Sequence, residues 1–472
     1  MKKIIIGCYF LLLYTEIMAQ EKRITLKECV ETALQNNLEV QQAELQKERS
    51  EIDWKQSKAN MLPNISGNIN YGTNQGRSID PFTNSFINQQ LNFSNLNANG
   101  SIPVFSGLQI QSQIRQNNLA LQASKMDWQQ AKDNLTLDVI LSYLIELNNE
   151  DVLMLSKAQL EVTKKQVERL ETLYSEGAIA SYTLTDLKGQ LASDEVLVVN
   201  AENNVTAARL SLAQLMNIPF DENLLLEKIG VDEAMSLYEN ASNTIYEEAL
   251  KKLGLIKAVD LRKQSAEKAI KVARSGYYPT LSFFGGLGTN YSSAAQLYSV
   301  VNEFYGISDS YVTISGNNIP VNTKQLTTKQ EPFGFFKQYN YNLNTQFGLS
   351  LRVPIANNFR VRNQVALAKI NYKNAKLVAD NTRIELQQNI EQAYQNMRAA
   401  YNRYKILIQQ VAAYEESFRA ADVRFNNGVI NSVEYLQVKN NLDKARINLT
   451  QAKYEYVLRT KVLDFYQSKL NW

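Results

Sequence analysis

Gly107-Leu108-Gln109-Ile110-Gln111-Ser112 opens a run that ends at Glu171-Thr172-Leu173-Tyr174-Ser175-Glu176-Gly177, and no Gly or Pro stands between the two glycines. Leu, Gln, Glu, Lys and Ala dominate the interval, and these residues give up little rotamer freedom in a helix. One uninterrupted helix there would be roughly 100 Å long. A periodic run of more than about 25 residues reads as a coiled coil or a helical array rather than a globular helix. A second run of the same kind lies between Asn358 and Gly428. Its apolar residues Leu386, Ile390, Ala393, Met397, Ala400, Tyr404, Leu407, Val411, Tyr414 and Phe418 step by 4 and 3, the period of a coiled-coil seam. The first run shows a looser line through Leu153, Leu160, Val167, Leu170 and Tyr174.

Working outward, the two runs sit in equivalent surroundings. Ile102-Pro103-Val104 and Val353-Pro354-Ile355 are 251 residues apart, and so are Gly177 and Gly428, and Ser181 and Ser432. Upstream, Pro63 and Pro279 are 216 apart, which leaves a surplus of 35 residues between Pro279 and Pro354. An internal duplication is expected, with a first repeat over 20–240 and a second over 245–472. Each repeat is expected to give two strands, at about 64–72 and 95–104 and at about 280–288 and 343–354. Each then has a long helical hairpin, 107–216 or 358–467. An equatorial segment covers 217–244. The surplus falls in 288–342, a Tyr-, Ser- and Asn-rich stretch with Gly306, Gly316 and Pro320 that reads as a long loop. Thr25 is a candidate N-cap, with a break expected near Asn36-Asn37 and a stop at Pro63.

The strands alternate strictly. Ile65, Gly67, Ile69 and Tyr71 interleave with Ser66, Asn68 and Asn70, while Leu96, Ala98, Gly100, Ile102 and Val104 interleave with Asn95, Asn97, Asn99 and Ser101. Leu281, Phe283, Gly285 and Leu287 form a third apolar row, and Leu343, Phe347, Leu349, Leu351 and Val353 a fourth. One apolar and one polar face suit either a soluble sandwich or an outer-membrane barrel. Four strands cannot close a barrel, and lipid tolerates no open edge, so strands must be pooled between copies. Three copies give 12 strands and an open lumen, where two would give a filled core.

Composition narrows the chemistry. The chain of 472 residues has no His, two cysteines (Cys8 and Cys29) and a formal net charge of +3. That gives no reason to expect a nucleic-acid partner, and it supplies no catalytic motif, metal site or cofactor site. Residues 1–19 read as a signal peptide, with Lys2-Lys3, the apolar run Ile4 to Tyr14 and Ile17-Met18-Ala19. Export places the chain where any membrane contact would be made by strands, since no later segment is apolar enough for a spanning helix.

This order of elements resembles the TolC-like outer membrane efflux proteins over nearly the whole mature chain. The residues that carry it are Thr25-Leu26-Lys27-Glu28 through Ala33-Leu34-Gln35-Asn36-Asn37, Pro63 and Pro279, the two x-Pro-x triplets, and the turns at Gly177 and Gly428. The resemblance implies an α+β membrane protein: a homotrimer with a 12-stranded barrel in outer-membrane lipid, continuous with a periplasmic helical barrel. It would act as a passive exit duct, not an enzyme, with a periplasmic adaptor and an inner-membrane transporter of RND or ABC type as partners. The adaptor-contact turns would be those of Gly177 and Ser181 and of Gly428 and Ser432, each Gly ending a helix and each Ser capping the next. The entrance would be gated at Glu434, with Gln437 where a second acid is expected, Ile430 where a basic partner is expected, Thr183 in place of an acid, and Asp186 nearby. The rival expectation is a non-channel periplasmic coiled-coil protein with a soluble sandwich.

Overall fold

The computed structural model describes residues 23–79, 84–229 and 236–470. The expected signal peptide, Asp80-Pro81 and Gly230 lie outside them. Two compact units are drawn from the chain. One comprises Met1–Ile52, Asn117–Ala266 and Asn371–Trp472, the other Asp53–Gln116 and Glu267–Ile370.

In chain order the elements are β1 (Arg23–Ile24), α1 (Leu26–Asn36), α2 (Leu38–Ala59), β2 (Asn64–Asn74), β3 (Arg77–Ile79), β4 (Phe86–Asn88), β5 (Leu91–Ser106), α3 (Gln109–Ser175) and α4 (Ser181–Met216). There follow β6 (Leu225–Leu226), α5 (Ser242–Lys252), α6 (Gly254–Arg274), β7 (Thr280–Ser292), β8 (Gln296–Ile314), β9 (Asn317–Pro332), α7 (Phe335–Tyr341), β10 (Asn344–Arg352), α8 (Arg360–Asn426) and α9 (Ser432–Tyr466). The chain is therefore mainly helical with a minority of strands. The two long helices, α3 and α8, are 67 residues each.

Local chemistry sets several boundaries. Thr25 and Glu28 form a reciprocal capping box: the Glu28 N–H donates to Thr25 Oγ1 (3.1 Å) and the Thr25 N–H to Glu28 Oε2 (2.9 Å). The Asn37 side chain accepts from the N–H groups of Glu39 and Val40, so the residue that closes α1 also opens α2. At the far end of α4, Asn217 takes a left-handed φ of 52° and donates its side-chain amide to the Asn36 carbonyl (3.2 Å). The ends of α1 and α4 are thus joined. Beside them the parallel pair β1–β6 places Ile24 opposite Leu226.

The helical unit buries apolar residues in separate clusters. Around α1, Cys29, Val30 and Ala33 meet Val139, Ile140, Tyr143 and Leu147 of α3 and Leu212 and Met216 of α4. On α8, Leu386, Ile390, Met397 and Ala400 are covered by Ile245, Ala249, Leu253 and Ile256 from α5 and α6 and by Tyr456 and Leu463 from α9. Farther along, Val411 packs on Leu442 and Ala445.

The looser seam of α3 needs correction. Val167 and Leu170 are buried, but Tyr174 is exposed, and the buried positions above them are Ser156, Gln159 and Thr163 rather than Leu153 and Leu160. The reason is chemical: this stretch of α3 faces a buried charge cluster, described below, that needs hydrogen-bonding neighbours.

The strand unit holds a four-stranded antiparallel sheet in the order β10-β7-β5-β2. Its register puts Ile65 opposite Gly100 and Ile69 opposite Leu96; Ala98 in turn faces Leu287, Ile102 faces Phe283, and Phe283 faces Leu349. The four apolar rows therefore lie on one face of one sheet. Most of that face is bare: Ile65 and Ile69 are each 73% exposed, Phe347 79% and Leu351 64%. The polar face carries Asn95, Asn97, Asn99, Gln346 and Ser350.

The stretch 288–342, expected as a loop, is a second correction. Residues up to Ser292 extend β7. Beyond them β8 and β9 form a long antiparallel hairpin closed at Ser315-Gly316, and α7 follows. Val300, Val301, Phe304, Tyr305, Ile307, Tyr311, Val312 and Ile314 are strand-forming residues, and they outweigh the polar and Gly content that suggested a loop.

Candidate functional site

The long helices α3 and α8 each end in the same backbone device. Gly177 (φ +71°) and Gly428 (φ +73°) take the left-handed conformation. The next residue closes each turn: the Ala178 N–H donates to the Leu173 carbonyl and the Val429 N–H to the Arg424 carbonyl, both at 2.8 Å. A Cβ at either glycine would meet nothing within 4 Å, so the glycine is required by φ alone.

The starts of the returning helices differ from expectation, and from each other. Neither serine caps. Ala180 occupies the N-cap of α4 and makes no side-chain bond there, and Ser181 is already the first helical residue. At α9 the cap is Asn431, whose Oδ1 accepts from the Glu434 N–H at 2.8 Å. Ser432 is fully buried instead, and its hydroxyl donates to Asp186 Oδ2 on α4 at 2.7 Å.

That bond brings the two turns together. Beneath it Val167 and Leu170 (α3), Leu187 (α4), Ala421 and Phe425 (α8), Ile430 of the turn after α8 and Tyr435 (α9) form one buried cluster, with the Phe425 and Tyr435 rings stacked at 4.4 Å. Arg169 of α3 adds a bond to the Asn426 carbonyl (2.9 Å) and a second to its side chain. Among the expected entrance residues, then, the structure joins Asp186 to Ser432. It leaves Glu434 exposed, 3.6 Å from Arg424 Nη1, with Gln437 exposed and Thr183 half-buried nearby on their own helices. Arg424 is the cation near Glu434, and it comes from the end of α8, not from position 430. Tyr182, Val429 and Val433 stand more than 60% exposed at the same tip.

A buried ion cluster lies just above. Lys439 is 2% exposed and meets Asp443 Oδ2 at 2.6 Å and Asp194 Oδ2 at 3.1 Å. Asp194 accepts further bonds from Thr163 Oγ1 and Gln190 Nε2. Burial pushes the Asp443 carboxyl above its ordinary range, against the pull of Lys439. The cluster ties α3 and α4 to α9. It was legible only as a misfit: Lys439 stands in the buried line Ser432, Tyr435, Leu442 and Ala445, and Asp194 in the line Leu187, Val198 and Ala201.

Higher on the same helices Glu146 is fully buried against Arg209, Nε to Oε1 at 2.8 Å, while Arg209 also holds Glu150 and the Glu222 carbonyl. Its other oxygen has no partner, and burial raises its carboxyl to about 7.

The strand unit presents a largely bare apolar sheet face, and among the described residues no helix is long and apolar enough to cross a membrane. The model of one family, the outer membrane efflux proteins, matches residues 29–217 and 245–465. The chain belongs to that family, and its location is the outer membrane of a Gram-negative cell. It is 24% identical over 335 residues to outer membrane protein TolC of Escherichia coli (strain K12), a match that spans 70% of this chain and 60%, under two thirds, of that protein. It is also 23% identical over 418 residues to TolC of Vibrio cholerae serotype O1, spanning 85% of this chain and 81% of that one. Among solved structures, the outer membrane protein VceC from Vibrio cholerae superposes with a TM-score of 0.73 at 15% identity, covering 94% of this chain and 95% of VceC. The Campylobacter jejuni CmeC outer membrane channel gives 0.72 at 18%, covering 94% and 85%. Both share the fold.

Proposed function

We propose that this chain is the outer membrane exit duct of a tripartite efflux or type I secretion system, conducting substrate passively from an inner-membrane pump and its adaptor to the exterior. The observation that carries this is the sheet: four antiparallel strands with one apolar face largely bare and both edge strands, β10 and β2, without a further strand partner among the described residues. Unsatisfied backbone groups at such edges are not tolerated in lipid, so the strands of three copies close a 12-stranded barrel. The two repeats supply two strands and one long hairpin each. The polar rows of Asn and Ser line the lumen, and energy comes from the pump, so no catalytic group is needed.

The hairpin tips form the periplasmic entrance. Glu434, with Gln437, Thr183 and Asp186 around it, sets the charge at the mouth, and the loose Arg424–Glu434 pair supports a carboxylate available to passing cations. The turns of Gly177 and Ser181 and of Gly428 and Ser432 receive the adaptor. Exposed apolar side chains such as Tyr182, Val429 and Val433, clustered on a tip this small, are the chemistry of a partner surface. Replacing Gly177 or Gly428 with Glu tests the entrance. Efflux by cells should be lost while the proposed trimer still assembles; transport that survives both changes would remove these turns from the docking role.

A further inference from the structure

Resting on the reading that β2, β5, β7 and β10 span the outer membrane, we infer that α7 and its flanking aromatics form an interfacial anchor. In this reading they seat on the lipid-facing side of the barrel, in the headgroup region of the outer leaflet. The first support is which face of the sheet α7 covers. The Tyr339 hydroxyl and Ser94 Oγ are 2.6 Å apart, Thr289 Oγ1 donates to the Tyr339 carbonyl at 2.7 Å, and the Phe335 ring lies 4.7 Å from that of Tyr291. Ser94 pairs with Tyr291, and Leu96 with Thr289. By period-2 alternation these side chains lie on the face of Leu96, Ala98 and Leu287, not on that of Asn95, Asn97 and Asn99. The helix folds back over the apolar face, outside the lumen.

The attachment is rigid. The buried Gln338 amide donates to the Ser292 and Phe333 carbonyls and accepts from the Ser292 N–H at 2.9 Å. Its outer surface is aromatic and open: Phe336 is 81% exposed and Tyr341 71%, with the Phe335 and Phe336 rings 5.5 Å apart. The Tyr341 ring meets that of Phe333 along one edge and is otherwise open. The helix sits over β5 and β7, the two inner strands of the sheet, so a neighbouring copy joined at β10 or β2 would not reach it.

Its position along the strands selects the occupant. From Thr280 to Tyr291 the strand advances roughly 36 Å, or about 28 Å along the membrane normal at a barrel tilt of about 40°. That is close to the thickness of the hydrocarbon core. Exposed Tyr277 and Tyr278 precede the apolar row at one end, and α7 stands at the other. Amphipathic aromatic rings bracketing an apolar band are what a bilayer interface favours. The partner is thus a lipid surface, with rings at the boundary of acyl chain and headgroup.

The test uses the purified full-length protein in vesicles of phosphatidylcholine, plain or brominated near the headgroup end of the acyl chains, with a tryptophan reporter read as the difference from the parent, which holds three Trp. In one variant Phe336→Trp reports on the anchor; in another Phe347→Trp reports on the middle of the apolar row. The inference predicts that both reporters are quenched by bromine and shielded from acrylamide, with Phe347→Trp emitting at the shorter wavelength. Bromine quenching of Phe347→Trp but not of Phe336→Trp would overturn the anchor and leave the barrel standing. If neither were quenched, the membrane-spanning reading would fail and the anchor with it.

Discussion

The sheet and the hairpin tips carry similar apolar side chains and treat them in opposite ways. At the tip, Leu187 and Tyr435 are fully buried against neighbours from four helices, and even a lysine is enclosed by two carboxylates. On the sheet, Ile69 and Phe347 stand bare in a register that lines up the four apolar rows on one face, while Phe93 and Phe284 lie on the other. Burying a side chain of this size is worth about 1.5–3 kcal/mol, and a water-soluble sheet would not forgo that across a whole face. On the proposed reading, the two units have different solvents. Packing holds the tip together in water, whereas on that reading the sheet gives its apolar face to lipid and leaves the backbone of its edge strands, β10 and β2, to neighbouring copies.

The comparison can be broken first at the tip. Lys439→Ala leaves Asp194 and Asp443 facing each other in a buried site, and removal of one partner from such a cluster costs roughly 3–5 kcal/mol. The expected result is early loss of the helical signal on heating and fast proteolysis near the tips, with the barrel retained. A wild-type melting profile would show that the cluster is not the tie it is taken for. On the sheet, Phe347→Lys puts a charge at the middle of the apolar row, where lipid would penalise it by about 2–4 kcal/mol. Assembly into the proposed membrane trimer should fall sharply. In a soluble sheet an exposed lysine at that position would cost almost nothing, so unchanged assembly would point to water on that face.

A smaller effect concerns pH. The native carboxyl of Glu146 is raised from 4.5 to about 7, so the folded chain binds more protons than the unfolded one in that interval. Its contribution is complete below about 4.5 and is lost as the pH rises through about 7, by roughly 1–3 kcal/mol. Glu146→Gln should flatten this part of the stability profile of the helical unit, measured by melting at pH 5 and pH 8. The smallest effect separates the two turns. Asn431→Ala removes a helix cap and should cost about 1 kcal/mol, while Ser181→Ala should cost close to nothing. Equal losses would restore the serine to a capping role.

Much of this architecture is written in spacing. Gly107 and Gly177 bracket α3 because no residue between them breaks a helix, and the strands declare themselves because every second residue from Ile65 to Tyr71 and from Leu96 to Val104 is apolar or small. Three features were hidden, each for a physical reason. The β8–β9 hairpin combines Tyr, Asn and Ser with Gly306 and Pro320, and its alternation is interrupted where the register shifts at Val300/Asn302 and Ile307/Tyr311. The Asp194–Lys439 pair is separated by 245 residues and looks like two surface charges until both are placed on buried helix stripes. The cap of α9 falls one residue before Ser432, which satisfies the usual preference, because Asn431 has the extended backbone and makes the bond.

All of these readings meet in one claim, that copies of this chain enclose a water-filled path through the outer membrane. Single-channel recording of the purified protein in a planar lipid bilayer tests it most directly. The account predicts discrete conductance steps, enlarged or stabilised when Glu434 and its Arg424 partner are replaced by alanine. A correctly assembled, membrane-inserted protein that never conducts, with the entrance residues intact or replaced, would contradict it.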